Sequence, residues 1–213
     1  MTRRTTALAR AALLVVAGAV AVIVALVGHP GAPQPPTSPG AHQPSGALTT
    51  TQPSGSGPLT RSQPAAIRIP AIGVSSDVTA IGENADGTIA VPQPGPDYNK
   101  AAWYQYSPTP GQLGPSIIEG HVDSAKQGPS VFYKLGDLRP GNEVDVTLAD
   151  GAVTVFTIDG VRSYPKDQFP IQAVYGNTNN PALRLVTCGG SFDSATGHYQ
   201  SNIIAFGHLT GSR

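Results

Sequence analysis

Hydrophobic and polar positions alternate over short distances in the C-terminal two thirds of the chain, and this pattern predicts β-strands. Residues 144–148 and 153–156 carry an apolar side chain at every second position, as expected for strands with one solvent-exposed face. Asp86-Gly87 and Asp150-Gly151 have the composition of hairpin turns. The complete set of predicted strands comprises residues 66–69, 78–81, 88–91, 102–106, 116–119, 143–148, 153–158, 182–187 and 203–206.

These strands predict a single all-β domain over residues 64–213. Many short strands in roughly 150 residues are typical of a closed barrel or a sandwich. One short helix is predicted near residues 130–138, and Pro140 would end it.

The N-terminal part of the chain has a different pattern. Residues 11–27 form an uncharged run rich in Ala, Val and Leu, and arginines precede it. Counted from Ala7, the run approaches the roughly 20 residues that cross a bilayer. Arginines on the N-terminal side alone predict a cytoplasmic N-terminus. Residues 1–27 are therefore interpreted as a cytoplasmic tail and single-pass anchor in the cell membrane; a cleaved signal peptide is the alternative.

Residues 28–63 are predicted to be a disordered linker. They are rich in Pro, Gly, Ser, Thr and Gln and contain almost no charge or aromatic side chain. Such a segment buries too little apolar surface to offset the loss of chain entropy on folding. It would hold the domain of residues 64–213 outside the cell, away from the bilayer.

Charge and composition exclude several functions. The formal net charge is zero, but the charged residues of the segment 1–63 are all basic, and the rest of the chain has a small excess of acidic residues. No basic stripe with interleaved aromatics is present, so nucleic-acid binding is not expected. One cysteine and scattered histidines lack metal-ligand spacing, so we predict no metal and no cofactor. The domain is expected to be a monomer.

The candidate chemistry lies at the ends of two predicted strands. Cys188 is the only cysteine, and it follows a β-branched run and precedes two glycines, as if a strand ended there to present a thiol. A reactive thiolate needs a nearby base or cation. His121 follows Gly120 at the end of another apolar run and can supply that base. His198 is the rival histidine, and an inert core thiol is the alternative for Cys188.

Several segments together resemble the sortases, the membrane-anchored cysteine transpeptidases of Gram-positive cell surfaces. Leu185-Val186-Thr187-Cys188 resembles the cysteine signature of this family, and Gly120-His121 resembles its histidine loop. The likeness extends over roughly residues 64–209 and includes Trp103-Tyr104 and the run Arg68 to Val74. The sequence from Thr187 to Asp193, followed by Tyr199 and Asn202-Ile203-Ile204, is most similar to that of class F sortases of actinobacteria.

The resemblance implies an eight-stranded sortase-type β-barrel with one or two short helices. It implies a Cys188 nucleophile and a His121 acid–base that cleave the sorting signal of surface proteins and transfer them to an amine of a peptidoglycan precursor or another acceptor. Thr187 is expected to shape the substrate groove. Most sortases also have an arginine before the last strand, and this stretch contains none. Asn202 lies nearest that position, and Arg184 is the alternative.

Two other functions remain open from the residues alone. A thiol hydrolase or amidase would use the same Cys–His pair with water as the acceptor. A catalytically weakened surface-binding module would be consistent with the missing arginine.

Overall fold

A computed structural model describes residues 31–36 and 59–213. The predicted anchor of residues 1–27 lies outside this part, as does most of the predicted linker. No helix within the described ranges is both long and apolar enough to cross a membrane. The strands are β1 (Pro64–Ile69), β2 (Val74–Ile81), β3 (Ala101–Tyr104), β4 (Gly114–Glu119), β5 (Asp123–Ser124), β6 (Gly128–Pro129), β7 (Glu143–Leu148), β8 (Val153–Pro165), β9 (Pro181–Asp193) and β10 (His198–Ser212).

Eight of these strands close into a barrel in the order β1-β2-β3-β4-β9-β10-β8-β7. The pairs β2–β3 and β4–β9 are parallel, and the other neighbours are antiparallel. Strands β5 and β6 form a separate two-stranded hairpin. This all-β architecture with few helices confirms the predicted eight-stranded barrel.

Alternation along the strands divides the side chains between the barrel interior and its outer surface. The interior cluster takes Leu183, Leu185 and Ile203 from the central strands, and each is fully buried. Trp103 and Phe132 are also fully buried in it. Large apolar side chains of this kind contribute about 1.5–3 kcal/mol each when buried.

A second, smaller cluster covers part of the outer surface. It contains Ile117, Val186, Ile204 and Phe206 of the strands and Val174 of the helix α1 (Ile171–Tyr175). The segment between β8 and β9, which contains α1, therefore packs on the outside of β4, β9 and β10.

The helix predicted over residues 130–138 is wrong for most of its length. These residues form turns and one short 3₁₀-helix, Leu135–Asp137. Phe132, Leu135 and Leu138 enter the interior cluster, so this segment is shaped by closing one end of the barrel. The α-helix occurs instead at Ile171–Tyr175. The predicted strand at residues 88–91 is reduced to one isolated bridge between Glu83 and Ile89.

Parts of the predicted linker pack on the barrel. Ala32 is 5% exposed, and Pro35 is buried as well. The Pro33 carbonyl oxygen lies 2.1 Å from the point where a Cβ of Gly136 would be, so only glycine fits there. The Gly190 N–H donates to Oε1 of Gln34 over 2.9 Å. A proline-rich chain loses little conformational entropy when it docks, which offsets its low apolar content.

The residues directly before β1 are also in contact with the barrel. The Leu59 N–H donates to the Gly111 carbonyl, and the Leu59 side chain packs on the interior cluster. The Arg61 guanidinium lies 5.6 Å from the centre of the Trp103 ring. These contacts, with those of residues 32–36, differ from the expectation of a linker that makes no contact with the domain.

Candidate active site

Cys188 and His121 follow neighbouring parallel strands. Glu119, the last residue of β4, pairs with Val186 of β9, two residues before Cys188. Because β4 and β9 run in the same direction, their C-terminal ends reach the same end of the barrel. The topology therefore brings together the two residues that the sequence singled out.

Thr187 joins these two strand ends. Its hydroxyl donates to the Gly120 carbonyl over 2.7 Å, and the Gly120 N–H donates to the Val186 carbonyl. Thr187 is only 4% exposed. Its side chain thus faces the histidine loop, and its role in shaping a substrate groove stays a prediction. It fixes the backbone before His121 relative to that of Cys188.

The His121 ring is held by two contacts. It stacks on Tyr98, with ring centroids 4.2 Å apart and planes 14° apart. Its Nε2 lies 2.7 Å from the buried Pro92 carbonyl oxygen. A carbonyl can only accept, so Nε2 carries the proton and Nδ1 is left for exchange with substrate. No hydrogen bond joins His121 to Cys188 within the described ranges, as expected for partners that meet through substrate.

Asp123 connects the histidine loop to β10. Its carboxylate accepts a hydrogen bond from the Tyr199 hydroxyl over 2.6 Å, and its backbone carbonyl accepts one from the Tyr98 hydroxyl over 3.1 Å. Burial, followed by the bond to Asp123, raises the pKa of Tyr199. Tyr199 therefore stays protonated and continues to donate.

The surroundings of Cys188 keep its thiol protonated. Burial raises the pKa of the Cys188 thiol, and the negative charges of Glu119 and Asp123 raise it further. Lys166 is the group that opposes this shift. Lys166 follows β8, whose last residue, Pro165, pairs with Ser201 of β10. The thiol thus depends on a base or on this cation to become nucleophilic.

Asn202 pairs directly with Cys188. The two residues are Cα partners in the antiparallel ladder between β9 and β10, and Asn202 is partly exposed. Residues directly opposite in such a ladder have side chains on the same face about 4.5–5.5 Å apart. The structure therefore places the Asn202 amide beside the thiol, on the outer surface of the barrel.

Arg184 is engaged elsewhere. Its guanidinium donates to the Ala173 carbonyl over 3.1 Å and to the Leu183 carbonyl over 3.0 Å, and it lies 4.9 Å from the centre of the Phe206 ring. Burial lowers its pKa to about 10. Arg184 and Cys188 share a face of β9, but roughly 13 Å of strand separates them. The contacts of Arg184 anchor α1.

His198 is not brought to the thiol. It is exposed at the start of β10 and pairs with Asp193, beyond the glycines that follow Cys188. Of the two histidines that competed for the role of base, His121 is the one on the strand end next to Cys188.

Several residues of the site were missed by sequence reasoning. Tyr98 and Pro92 come from the long connection between β2 and β3, and no local pattern indicates that they reach His121. Glu119 was also missed, although the strand period of two was an available signal. It lies two residues after Ile117 on β4 and therefore shares its outer face. Burial raises the pKa of Glu119 to about 7.

Comparison with known proteins agrees with this geometry. The model of the sortase domain matches residues 67–210. Among solved structures, Listeria monocytogenes sortase A is 16% identical, with 70% of this chain and 87% of that chain covered and a TM-score of 0.51. Sortase C1 from Streptococcus agalactiae is 18% identical (69% and 67% covered, TM-score 0.53). Clostridium perfringens sortase D5 is 21% identical (70% and 79% covered, TM-score 0.50).

No curated protein sequence matches the chain. At these identities the likeness to solved structures shows the fold, and the match to the domain model, which extends over more than half of the chain, shows the family. The chain belongs to the sortase family, and it is an enzyme of the cysteine transpeptidase type.

Proposed function

We propose that this sortase cleaves the sorting signal of surface proteins at a Thr-Gly-like bond and transfers the new C-terminus to an amine of a peptidoglycan precursor or another cell-surface acceptor. The observation that carries the proposal is the placement of Cys188 and His121 at adjoining ends of β4 and β9, joined by the Thr187–Gly120 hydrogen bond. This arrangement supplies a nucleophile and an acid–base on one side of the barrel.

The proposed reaction has two halves. His121 takes the thiol proton of Cys188 as the sulfur attacks the scissile carbonyl carbon, and the tetrahedral intermediate breaks its C–N bond to leave a thioester. The same proton passes from His121 to the departing amine. In the second half, the acceptor amine loses a proton to His121 and attacks the thioester, which forms a new amide bond and releases Cys188 as a thiolate. His121 then returns the proton to the sulfur.

We assign stabilisation of the oxyanion to Asn202, the neutral donor that pairs with Cys188. An amide N–H aimed at the developing negative charge contributes up to roughly 3–4 kcal/mol to lowering the barrier. A neutral amide donates a weaker hydrogen bond to an oxyanion than a guanidinium does, so turnover is expected to be slow.

Replacing Asn202 with Ala should lower kcat about a hundredfold, whereas Arg184→Ala should act mainly on stability. A large loss of kcat in a folded Arg184→Ala variant, with Asn202→Ala unchanged, would transfer the role to the arginine.

The test of the main proposal uses a pentapeptide library ending in Thr-Gly, with glycinamide as the amine. Wild-type enzyme should yield ligated product and a covalent adduct on Cys188 detectable by mass spectrometry. Cys188→Ala and His121→Ala should each reduce product formation by at least a thousandfold while the circular dichroism spectrum is kept. His198→Ala is the matched control and should retain most activity. Activity of either dyad variant within tenfold of wild type would contradict the assignment.

The same assay separates the alternatives. A thiol hydrolase would release free peptide acid regardless of glycinamide concentration. A surface-binding module would bind peptides without forming an adduct on Cys188.

We further propose a location and a subclass. The apolar run of residues 11–27, with arginines only before it, supports a single-pass anchor in the cell membrane with the N-terminus in the cytoplasm and the barrel outside. Fractionation of cells, together with digestion of the exposed barrel by added protease, would test this location.

The amino-acid sequence from Thr187 to Asp193 supports placement among the class F sortases.

A further inference from the structure

A single carboxylate lies on the outer face of the barrel close to the nucleophile. Glu119 ends β4 and pairs with Val186 of β9, so Cys188 is its diagonal neighbour two residues further along β9. Strand spacing and rise put their Cα atoms roughly 8 Å apart. Ile118 points into the interior cluster, so Glu119 shares the outer face with Ile117.

The surroundings of Glu119 leave its charge without compensation. Its charge acts on Tyr175 of α1 and on Cys188, which shows that both are close by. Among residues 31–36 and 59–213, no group donates a hydrogen bond to the Glu119 carboxylate and no cation forms an ion pair with it. By contrast, the nearby Glu83 carboxylate accepts a hydrogen bond from the Tyr104 hydroxyl.

An uncompensated carboxylate in a partly buried position is costly for the protein. Burial raises the pKa of Glu119 to about 7, so near neutral pH the group is divided between its charged and neutral forms. A cation brought into contact would favour the charged form and restore the ordinary pKa. The position thus gains from a ligand with a positive charge.

The thioester of the proposed reaction keeps one part of the substrate next to Glu119. After the C–N bond breaks, the part before the cleaved bond is bonded to Cys188, so its residues lie beside the thiol on the outer face that also carries Glu119. An extended peptide advances about 3.3 Å per residue, so the roughly 8 Å to Glu119 correspond to two or three residues.

We propose that Glu119 is a specificity-determining residue that selects sorting signals with a lysine or arginine among the three residues preceding the threonine of the cleaved bond. The inference rests on the proposed function, because it takes the peptide bonded to Cys188 from that mechanism. Removal of the ion pair would act on the preference among peptides.

The test is a set of peptides of the form X-X-X-Thr-Gly with glycinamide as the amine. One of the three X positions is varied at a time and carries Lys, Gln or Glu. The other two X positions carry the same mixture of neutral residues in every set. The kcat/KM of each set is measured by mass spectrometry of the ligated product. We use wild type, Glu119→Gln, Glu119→Lys and, as a matched control, Glu83→Gln, which removes the neighbouring carboxylate that already has a partner.

We expect wild type to favour Lys over Glu by at least tenfold at one of the three positions. Glu119→Gln should abolish that preference and turn over the Lys, Gln and Glu peptides at similar rates. Glu119→Lys should reverse the preference, and Glu83→Gln should keep it. A wild-type enzyme that ligates all sets equally, or a preference that survives in Glu119→Gln, would overturn this inference and leave the proposed function standing. Absence of ligation and of a Cys188 adduct with every peptide would overturn the proposed function, and this inference with it.

Discussion

The two faces of β9 and β10 differ in function, although their residues alternate along the same strands. The inner face belongs to the barrel core, and the outer face carries Cys188 and Asn202. On the inner face, Leu183, Leu185 and Ile203 are fully buried, and the Thr187 hydroxyl is hydrogen-bonded. On the outer face, Cys188 and Asn202 are partly exposed. Glu119, the diagonal neighbour of Cys188, has a carboxylate without a partner in the described part of the chain.

This difference shows how the fold separates stability from chemistry. Inner-face residues have satisfied contacts, so changes there should lower the free energy of unfolding. The outer-face groups around Cys188 remain reactive because the fold does not satisfy them, so changes there should act on the reaction. The predictions below test that separation.

The largest effect on stability is expected on the inner face. Leu185→Ala removes a fully buried side chain and should lower the free energy of unfolding by about 2–5 kcal/mol. Cys188→Ala, three residues away on the outer face, should change it by less than about 1 kcal/mol. Urea unfolding of both variants measures the contrast. Equal losses would show that the thiol contributes to the core.

Thr187 tests the point at which the two faces meet. Thr187→Val should lower the free energy of unfolding by about 1–3 kcal/mol, because it leaves the Gly120 carbonyl without its donor. It should also lower kcat at least tenfold by loosening the position of His121. Thr187→Ser keeps the hydroxyl and should recover most of kcat. A Val variant with normal kcat would show that the hydrogen bond does not position the histidine.

Glu119 predicts a pH dependence that arises on the outer face. The pKa of Glu119 is about 7 in the folded protein, above its ordinary value of 4.5. The unfolded chain therefore loses this proton first, and stability falls as pH rises from about 4.5 to 7. Glu119→Gln lacks this loss, so its stability relative to wild type should grow by about 1–3 kcal/mol over that range. Urea midpoints at both ends of the range measure it, and a constant difference would contradict it.

The smallest effect is expected from the docked N-terminal segment. Gln34→Ala removes the acceptor of the Gly190 N–H and should lower the free energy of unfolding by about 0.5–1.5 kcal/mol. Gln52→Ala, in a part of the linker outside the described residues, is the control. A soluble domain beginning at Pro64, which also lacks Leu59, should be less stable than one beginning at Gly31. Identical unfolding midpoints for the two domains would show that neither contact contributes.

The sequence predicts many of the strands because alternation is a local signal, as in β7 and β8. The strand-end glycines single out Cys188 and His121, and the structure brings these two residues to the same end of the barrel. The surroundings of His121 are not local: Tyr98 and Pro92 belong to a connection whose course is set by the closed barrel. The docking of Ala32 was missed because linker composition describes the average behaviour of a segment, whereas a few contacts, such as that at Gly136, suffice to hold five residues.

The hydrogen bond between Gln34 and Gly190 has a thermodynamic consequence. Gly190 lies two residues after Cys188, so the docked segment is held next to the backbone where the proposed peptide substrate would bind. Linkage between two such events is reciprocal. If docking of the segment changes the free energy of substrate binding, then substrate binding changes the free energy of docking by the same amount. A docked segment that weakens or strengthens binding of the proposed substrate would itself be released or held by that substrate.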